Sequence, residues 1–170
     1  MQVSPTIRLG RLDEVKRIIE IEDLAGERYA DVGLPPDLEG LSHEEVVEAL
    51  EEKMLWVVVD DETPVGFALG WLRPNAMHLR ELDVHPAWMG RGLGRGLVDH
   101  VSREAQDRDL STVTLTTFRD VPWNAPLYRH WGFSEVEDSK LPAWLREIRQ
   151  EEDDGELGQW PRVAMARAVT

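Results

Sequence analysis

Val84-His85-Pro86-Ala87-Trp88-Met89-Gly90-Arg91-Gly92-Leu93-Gly94-Arg95-Gly96-Leu97-Val98 carries a β-type run into a proline, then a glycine-spaced loop, then an amphipathic helix. Such a junction is how a chain builds a cradle for phosphate. Glycines let the backbone approach an anion with no Cβ in the way, and the unpaired N–H groups at the start of the next helix supply donors and positive potential. Arg91 and Arg95 lie in this segment, and no acid falls between Pro86 and Val98. Two other phosphate loops are excluded by spacing. A dinucleotide G-x-G-x-x-G fails in both frames, because Arg95 and Leu97 occupy its third glycine position, and a Walker loop lacks its second Gly and its Lys-Ser/Thr.

A second segment lies downstream, Trp123-Asn124-Ala125-Pro126-Leu127-Tyr128-Arg129-His130-Trp131-Gly132-Phe133. Together the two resemble the GCN5-related N-acetyltransferases. Met89-Gly90-Arg91-Gly92-Leu93-Gly94 is similar to that family's acetyl-CoA signature (Gln/Arg)-x-x-Gly-x-(Gly/Ala), and the second segment to its Asn-x-x-x-Tyr-x-x-x-Gly-Phe helix. Met89 departs from the pattern, standing where the family has Gln or Arg. The resemblance implies an α/β fold with a mixed sheet, mostly antiparallel with a central parallel strand pair and flanking helices, and one acetyltransferase domain over residues 1–170.

The order of elements read along the chain agrees. Thr6–Leu9 reads as a strand, and Val15, Ile18 and Ile19 at helical spacing predict a first helix. Gly33-Leu34-Pro35-Pro36-Asp37 breaks the chain, and Ser42-x-x-Glu45 is a capping box opening a helix to about Lys53. Strands over Leu55–Val59 and Val65–Leu72 flank a turn and form a hairpin, with a third strand from about Met77 to Val84. After the glycine loop, Leu93, Leu97, Val98, Val101 and Ala105 form one apolar stripe, and Thr112–Phe118 is a β-branched strand, which implies a parallel crossover. Asn124–Trp131 reads as a short helix, Phe133–Val136 as a strand, Leu141 to about Gln150 as a helix, Glu151–Glu156 as a solvated acidic loop, and Arg162–Val169 as a last strand.

Composition narrows the function. The chain has 170 residues, enough for one core without staples, and no cysteine, so disulfides, thiolate metal sites and cysteine nucleophiles are excluded. The first eight residues lack an apolar signal region, and the longest apolar run, Met54–Val59, is too short to span a bilayer, so a cytoplasmic protein is expected. A formal net charge of -14 argues against nucleic-acid and anionic-membrane partners, which need a cationic face, and is compatible with cationic amines.

The resemblance assigns roles residue by residue. Acetyl-CoA is the implied cosubstrate, with no metal. Met89, Gly90, Arg91, Gly92, Leu93, Gly94 and Arg95 would hold its pyrophosphate. The backbone of Leu82, Asp83 and Val84 would pair with its pantetheine arm, an N–H near Val84 polarising the thioester. Asn124 would hydrogen-bond the cofactor, and Tyr128 would be the general acid at the sulfur; the two are four apart, so both lie on one helix face. For the base, His78 lies six residues before Val84, where some members of the family carry one. Strict alternation puts His78 and Arg80 on one strand face with Glu81 and Asp83 on the other, so Glu81 is the alternative should a bulge change the facing. His85, His100 and His130 read as incidental. His43-Glu44 lacks a second metal-binding histidine and no Gly-x-Ser-x-Gly elbow exists. Trp56, Trp71 and Trp131 read as core, Trp88 and Trp123 as cleft lining.

Two functions are therefore expected to compete: an acetyl-CoA-dependent N-acetyltransferase acting on a primary amine by direct attack in a ternary complex, or a non-catalytic acyl-CoA sensor of the same fold. The acceptor is not encoded in any motif, the segments that set it being Leu24 to Leu41 and the chain after Phe133. The resemblance also admits a homodimer.

Overall fold

In the computed structural model, which describes residues 5–35, 38 and 40–169, runs of β-branched and aliphatic residues become one seven-stranded sheet. The strands are β1 (Thr6–Leu9), β2 (Leu55–Asp60), β3 (Thr63–Arg73), β4 (Ala76–Val84), β5 (Thr112–Phe118), β6 (Ser134–Val136) and β7 (Arg162–Ala168), in the order β1-β2-β3-β4-β5-β7-β6. Every pair is antiparallel except β4–β5. Five helices flank it: α1 (Val15–Gly26), α2 (His43–Glu51), α3 (Leu93–Asp107), α4 (Ala125–His130) and α5 (Ala143–Asp154). Pro36 and Asp37 of the expected chain break, and Met1–Ser4 of the segment read for a signal, lie outside the described residues.

The sheet is covered on both faces, which is why β2 reads as a continuous apolar run rather than an alternating one. Leu55, Val57 and Val59 pack with Phe67 and Leu69 against Ile18 and Ile21 of α1 and Val46 of α2. Trp56 and Val58 face the other way, with Met77 and Leu79, onto the α3 stripe Leu97, Val98, Val101 and Ala105. The capping box forms as read: Ser42 Oγ accepts from Glu45 N at 3.1 Å, and Glu45 Oε2 accepts from Ser42 N at 2.9 Å.

Two features of the sheet position the site. The first is where β4 and β5 part. They pair only over Ala76↔Thr112, Met77↔Val113 and His78↔Thr114, although β4 runs on to Val84 and β5 to Phe118. The second is a bulge in β4: Leu69 of β3 pairs with Glu81 but Gly70 pairs with Leu79, so Arg80 is an extra residue. The bulge overturns the expected alternation. Met77, Leu79 and Leu82 pack on the α3 side, whereas Glu81 and Asp83 approach Glu22 of α1, on the same face as His78.

The acidic stretch expected to be a solvated loop is partly helix, since α5 continues through Asp154. Glu152 is anchored rather than solvated, while Glu151, Asp154 and Glu156 are exposed as expected. Glu152 accepts from Thr116 Oγ1 at 2.8 Å, from Arg162 Nε at 3.0 Å and from Arg149 Nη1 at 3.1 Å, and Arg149 also reaches Asp153 at 2.9 Å. The side chains of Arg149, Arg162 and Glu152 are only 9%, 10% and 13% exposed. Glu152→Ala would leave the nearly buried Arg162 without its carboxylate and Arg149 with Asp153 alone, and is expected to lower the unfolding free energy by about 3 kcal/mol. A solvated glutamate would change it by no more than about 0.5 kcal/mol; urea unfolding of the two proteins separates the cases.

Candidate active site

The parting of β4 and β5 opens a cleft of about 1520 Å³. One end is built by the glycine loop. Gly90 and Gly92 have φ of 77° and 79°, the left-handed region, and a Cβ on either would point into open space. Gly92 is the N-cap of α3 and offers no side-chain cap. The first helical bond runs from Gly96 N to Gly92 O at 3.0 Å, so the N–H groups of Leu93, Gly94 and Arg95 precede any helical acceptor. Gly94 is small for another reason: a Cβ there would lie 3.0 Å from the ring of Trp131, which closes over the helix start.

The expected cofactor residues Leu82, Asp83, Val84, Met89, Gly90, Gly92, Leu93, Gly94 and Asn124 all line this cleft, as do Tyr128, Glu81 and His78. Arg91 and Arg95 do not. Both are exposed, and the Arg91 guanidinium stacks 4.5 Å over the Trp88 ring. Trp88 and Trp123 line the cleft as expected, but so do Trp71 and Trp131, and only Trp56 of the three read as core is fully buried. His85 is not idle, since its Nδ1 accepts from Ala87 N at 3.1 Å and fixes the turn entering the loop.

Asn124 is buried at the N-cap position of α4, but its side chain makes no cap hydrogen bond. Its Nδ2 donates to the Tyr29 hydroxyl at 3.0 Å, which ties α4 to the segment following α1. Tyr128 packs edge-on against Trp131 and Phe133, with ring centroids 5.6 Å apart in both cases. Burial first, then Tyr29, Glu81 and Asp83, raises its phenol far above the ordinary range, so the hydroxyl keeps its proton.

His78 sits where the strands part. It is 2% exposed, its Nδ1 hydrogen-bonds with Thr114 Oγ1 at 2.9 Å, and its ring lies between Trp71 and Trp144. Burial, then the charges of Arg73 and Arg80, pushes it down to about 3, so the imidazole is neutral and is not the proton acceptor that its place in the sequence suggests. Glu81 and Asp83, brought to the same face by the bulge, meet Glu22 so closely that one carboxylate oxygen from each lies within 4.8 Å of the others. Burial raises the Glu81 carboxyl. Burial, the neighbouring Glu81 charge and a hydrogen bond to Glu81 hold Asp83 well above the carboxylate range, and burial with Glu81 pushes Glu22 up to about 7. Arg80 spans from Glu45 (3.4 Å) to Glu81 (3.5 Å). Three carboxyls this close hold their protons jointly, and one of them is poised to accept another near neutral pH.

Glu22, Arg28 and Tyr29 carry no motif. A signal for Glu22 exists in hindsight, since it falls four residues after Ile18 and beside Ile21, at the margin of the buried stripe of α1, where its carboxylate accepts from Leu41 N at 2.9 Å. Arg28 stacks on Trp123 at 4.6 Å, and its Nη1 lies 3.6 Å from the sulfur of Met89.

Comparison with known proteins bears on what this cleft is. Mycothiol acetyltransferase of Beutenbergia cavernae is 34% identical over 89 residues, which are 51% of this chain and 30% of that protein. The fold is similar to N-acetylglutamate synthase from Neisseria gonorrhoeae, solved with coenzyme A and N-acetyl-glutamate (TM-score 0.78, 14% identity, all of this chain and 36% of that one). It is also similar to PaiA N-acetyltransferase from Thermoplasma acidophilum, solved with coenzyme A (TM-score 0.74, 15% identity, 98% of this chain and 99% of that one). The chain thus spans about a third of the first two relatives, and at these identities the two structures speak to the fold. A sequence profile of the acetyltransferase (GNAT) family matches residues 18–133, more than half of the chain, and on that match the chain belongs to this family.

Proposed function

We propose that the protein is an acetyl-CoA-dependent N-acetyltransferase, working as one domain that moves an acetyl group to a primary amine by direct attack with both substrates bound. The observation that carries this reading is the convergence, on one cleft between parting strands, of an uncapped helix N-terminus, a protonated phenol and a group of carboxyls with raised proton affinity. The first fits a pyrophosphate, because the two left-handed glycines leave open space where any side chain would project. When bound there, acetyl-CoA supplies an activated acetyl carbon whose bond to sulfur breaks as its bond to the amine nitrogen forms.

The chain's residues handle the protons. An acceptor amine arrives as an ammonium with a pKa of about 10, so one proton must leave before nitrogen can attack and a second as the amide forms. The Glu22–Glu81–Asp83 group stabilises the ammonium and receives its proton, with Glu81 as the base and Asp83 as the neutral partner hydrogen-bonded to it. Tyr128 gives its proton to the departing sulfur, and the second proton, released as the amide forms, balances the phenolate left behind. His78 positions the strand junction through Thr114 and carries no proton in the reaction. A sensor of the same fold has no use for a buried proton acceptor opposite a protonated phenol, which favours the enzyme.

Three outcomes are expected. Gly92→Asp adds a carboxylate to the cradle and should weaken acetyl-CoA binding by at least about 100-fold, measured by calorimetry on a variant whose circular dichroism is unchanged. Tyr128→Phe should lower kcat by about 10² to 10⁴ while the dissociation constant for acetyl-CoA stays the same. The acidic limb of kcat/KM should lie above the ordinary carboxylate range, because a raised carboxyl is protonated and inert below its pKa and active above it. Glu81→Gln should abolish that limb with a loss of about 10² or more, whereas His78→Gln should leave its position unchanged.

A further inference from the structure

The walls of the cleft carry ten acidic side chains against four arginines. The arginines are largely spoken for. Arg80 is held by Glu45 and Glu81, Arg162 by Glu152, Arg73 stacks on Trp71 at 5.0 Å, and Arg28 sits on Trp123 beside Met89 at the glycine-loop end. The acids are not. Asp83, which lines the cleft beside Glu22 and Glu81, has one oxygen, Oδ2, with no hydrogen-bond partner. Across the cleft, Glu147 and Glu151 stand one turn apart on α5, both exposed and neither ion-paired among the described residues, with Trp144 and Ile148 on the same face. Glu156, just beyond the helix, continues the row.

Resting on the acetyltransferase reading, we infer that the acceptor is a linear polyamine: one ammonium seats at Glu22, Glu81 and Asp83 beside the thioester site, and a second ammonium lies along Glu147 and Glu151. An ammonium has three donors and no acceptor, which suits a carboxylate group with an unpartnered oxygen. A second cation on the same chain is what distinguishes the α5 wall from a wall that merely keeps the protein soluble. An amino-acid acceptor would bring a carboxylate into a cleft already rich in negative charge. The methylenes between two ammonium groups have apolar surface to lie on, supplied by Trp71 and Trp144.

The test compares 1,4-diaminobutane and spermidine with n-butylamine, L-glutamate and a lysine-rich peptide, as acceptors for the full chain with acetyl-CoA. Calorimetric binding of spermidine without acetyl-CoA is measured alongside. The expected result is a kcat/KM for diamine and triamine about 100-fold above the monoamine at low salt, shrinking as ionic strength rises. In the Glu147→Gln, Glu151→Gln double variant that preference should fall roughly tenfold, mainly through KM. These positions are exposed, so the variant folds. Equal turnover of monoamine and diamine, a preference for L-glutamate or for the peptide, or a preference untouched in the double variant would overturn the inference while the acetyltransferase reading stands. Activation by Mg²⁺ with loss under chelation, and no diamine preference, would reassign the carboxylate group to a metal. Spermidine binding that weakens in the double variant, with no acetyl transfer to any amine, would uphold the site and overturn the reaction instead.

Discussion

The hydrogen bonding between β4 and β5 stops after His78 and Thr114, and the site depends on that stop. A parallel pair that continued to Val84 would fill the space between the strands with its own ladder. Because it does not, the sheet has an internal edge whose backbone groups face a cleft rather than solvent at the rim of the fold. The buried His78–Thr114 bond, wedged between Trp71 and Trp144, marks the last point of contact. Beyond it, α3 starts on one side of the gap and α4 closes the other, with Trp131 of the second reaching over Gly94 of the first.

The charge arrangement follows from the same geometry. A bulge of one residue at Arg80 turns Glu81 and Asp83 toward α1, and Glu22 meets them there. Without it Glu81 would point at the α3 core, where an unpaired carboxylate is costly. The cost is instead spread over three carboxyls that raise one another's proton affinity, and Arg80 offsets part of it. Re-aiming a side chain in this way is a recurrent use of β-bulges.

Much of this was legible beforehand. β1 and β5 end where the sequence says, because short β-branched runs between turn residues have few alternatives, and the capping box at Ser42 forms atom for atom. The glycine loop was readable because its left-handed turns at Gly90 and Gly92 constrain the backbone, and such constraints show as glycines. The facing of Glu81 was not readable, since nothing in Leu79-Arg80-Glu81 announces a bulge and the register is set by β3 across the ladder. Nor was the fate of His78. A histidine six residues before Val84 is the same letter whether it is solvated or sealed between two tryptophans, one of which arrives from α5. The acidic run after Gln150 misled for the same reason, because its partners Arg149, Arg162 and Thr116 come from three different elements.

The surplus of carboxylates along the cleft also bears on how a turnover ends. Acetylation converts an ammonium into a neutral amide, so a cationic acceptor leaves with one charge fewer than it brought. At an effective dielectric of about 20, one charge about 10 Å from another is worth roughly 1–2 kcal/mol, a change of about tenfold in retention. Under the proposed reaction, the field that draws the amine in would therefore relax its hold once the amide has formed, and product release would be coupled to chemistry without any part of the fold having to move.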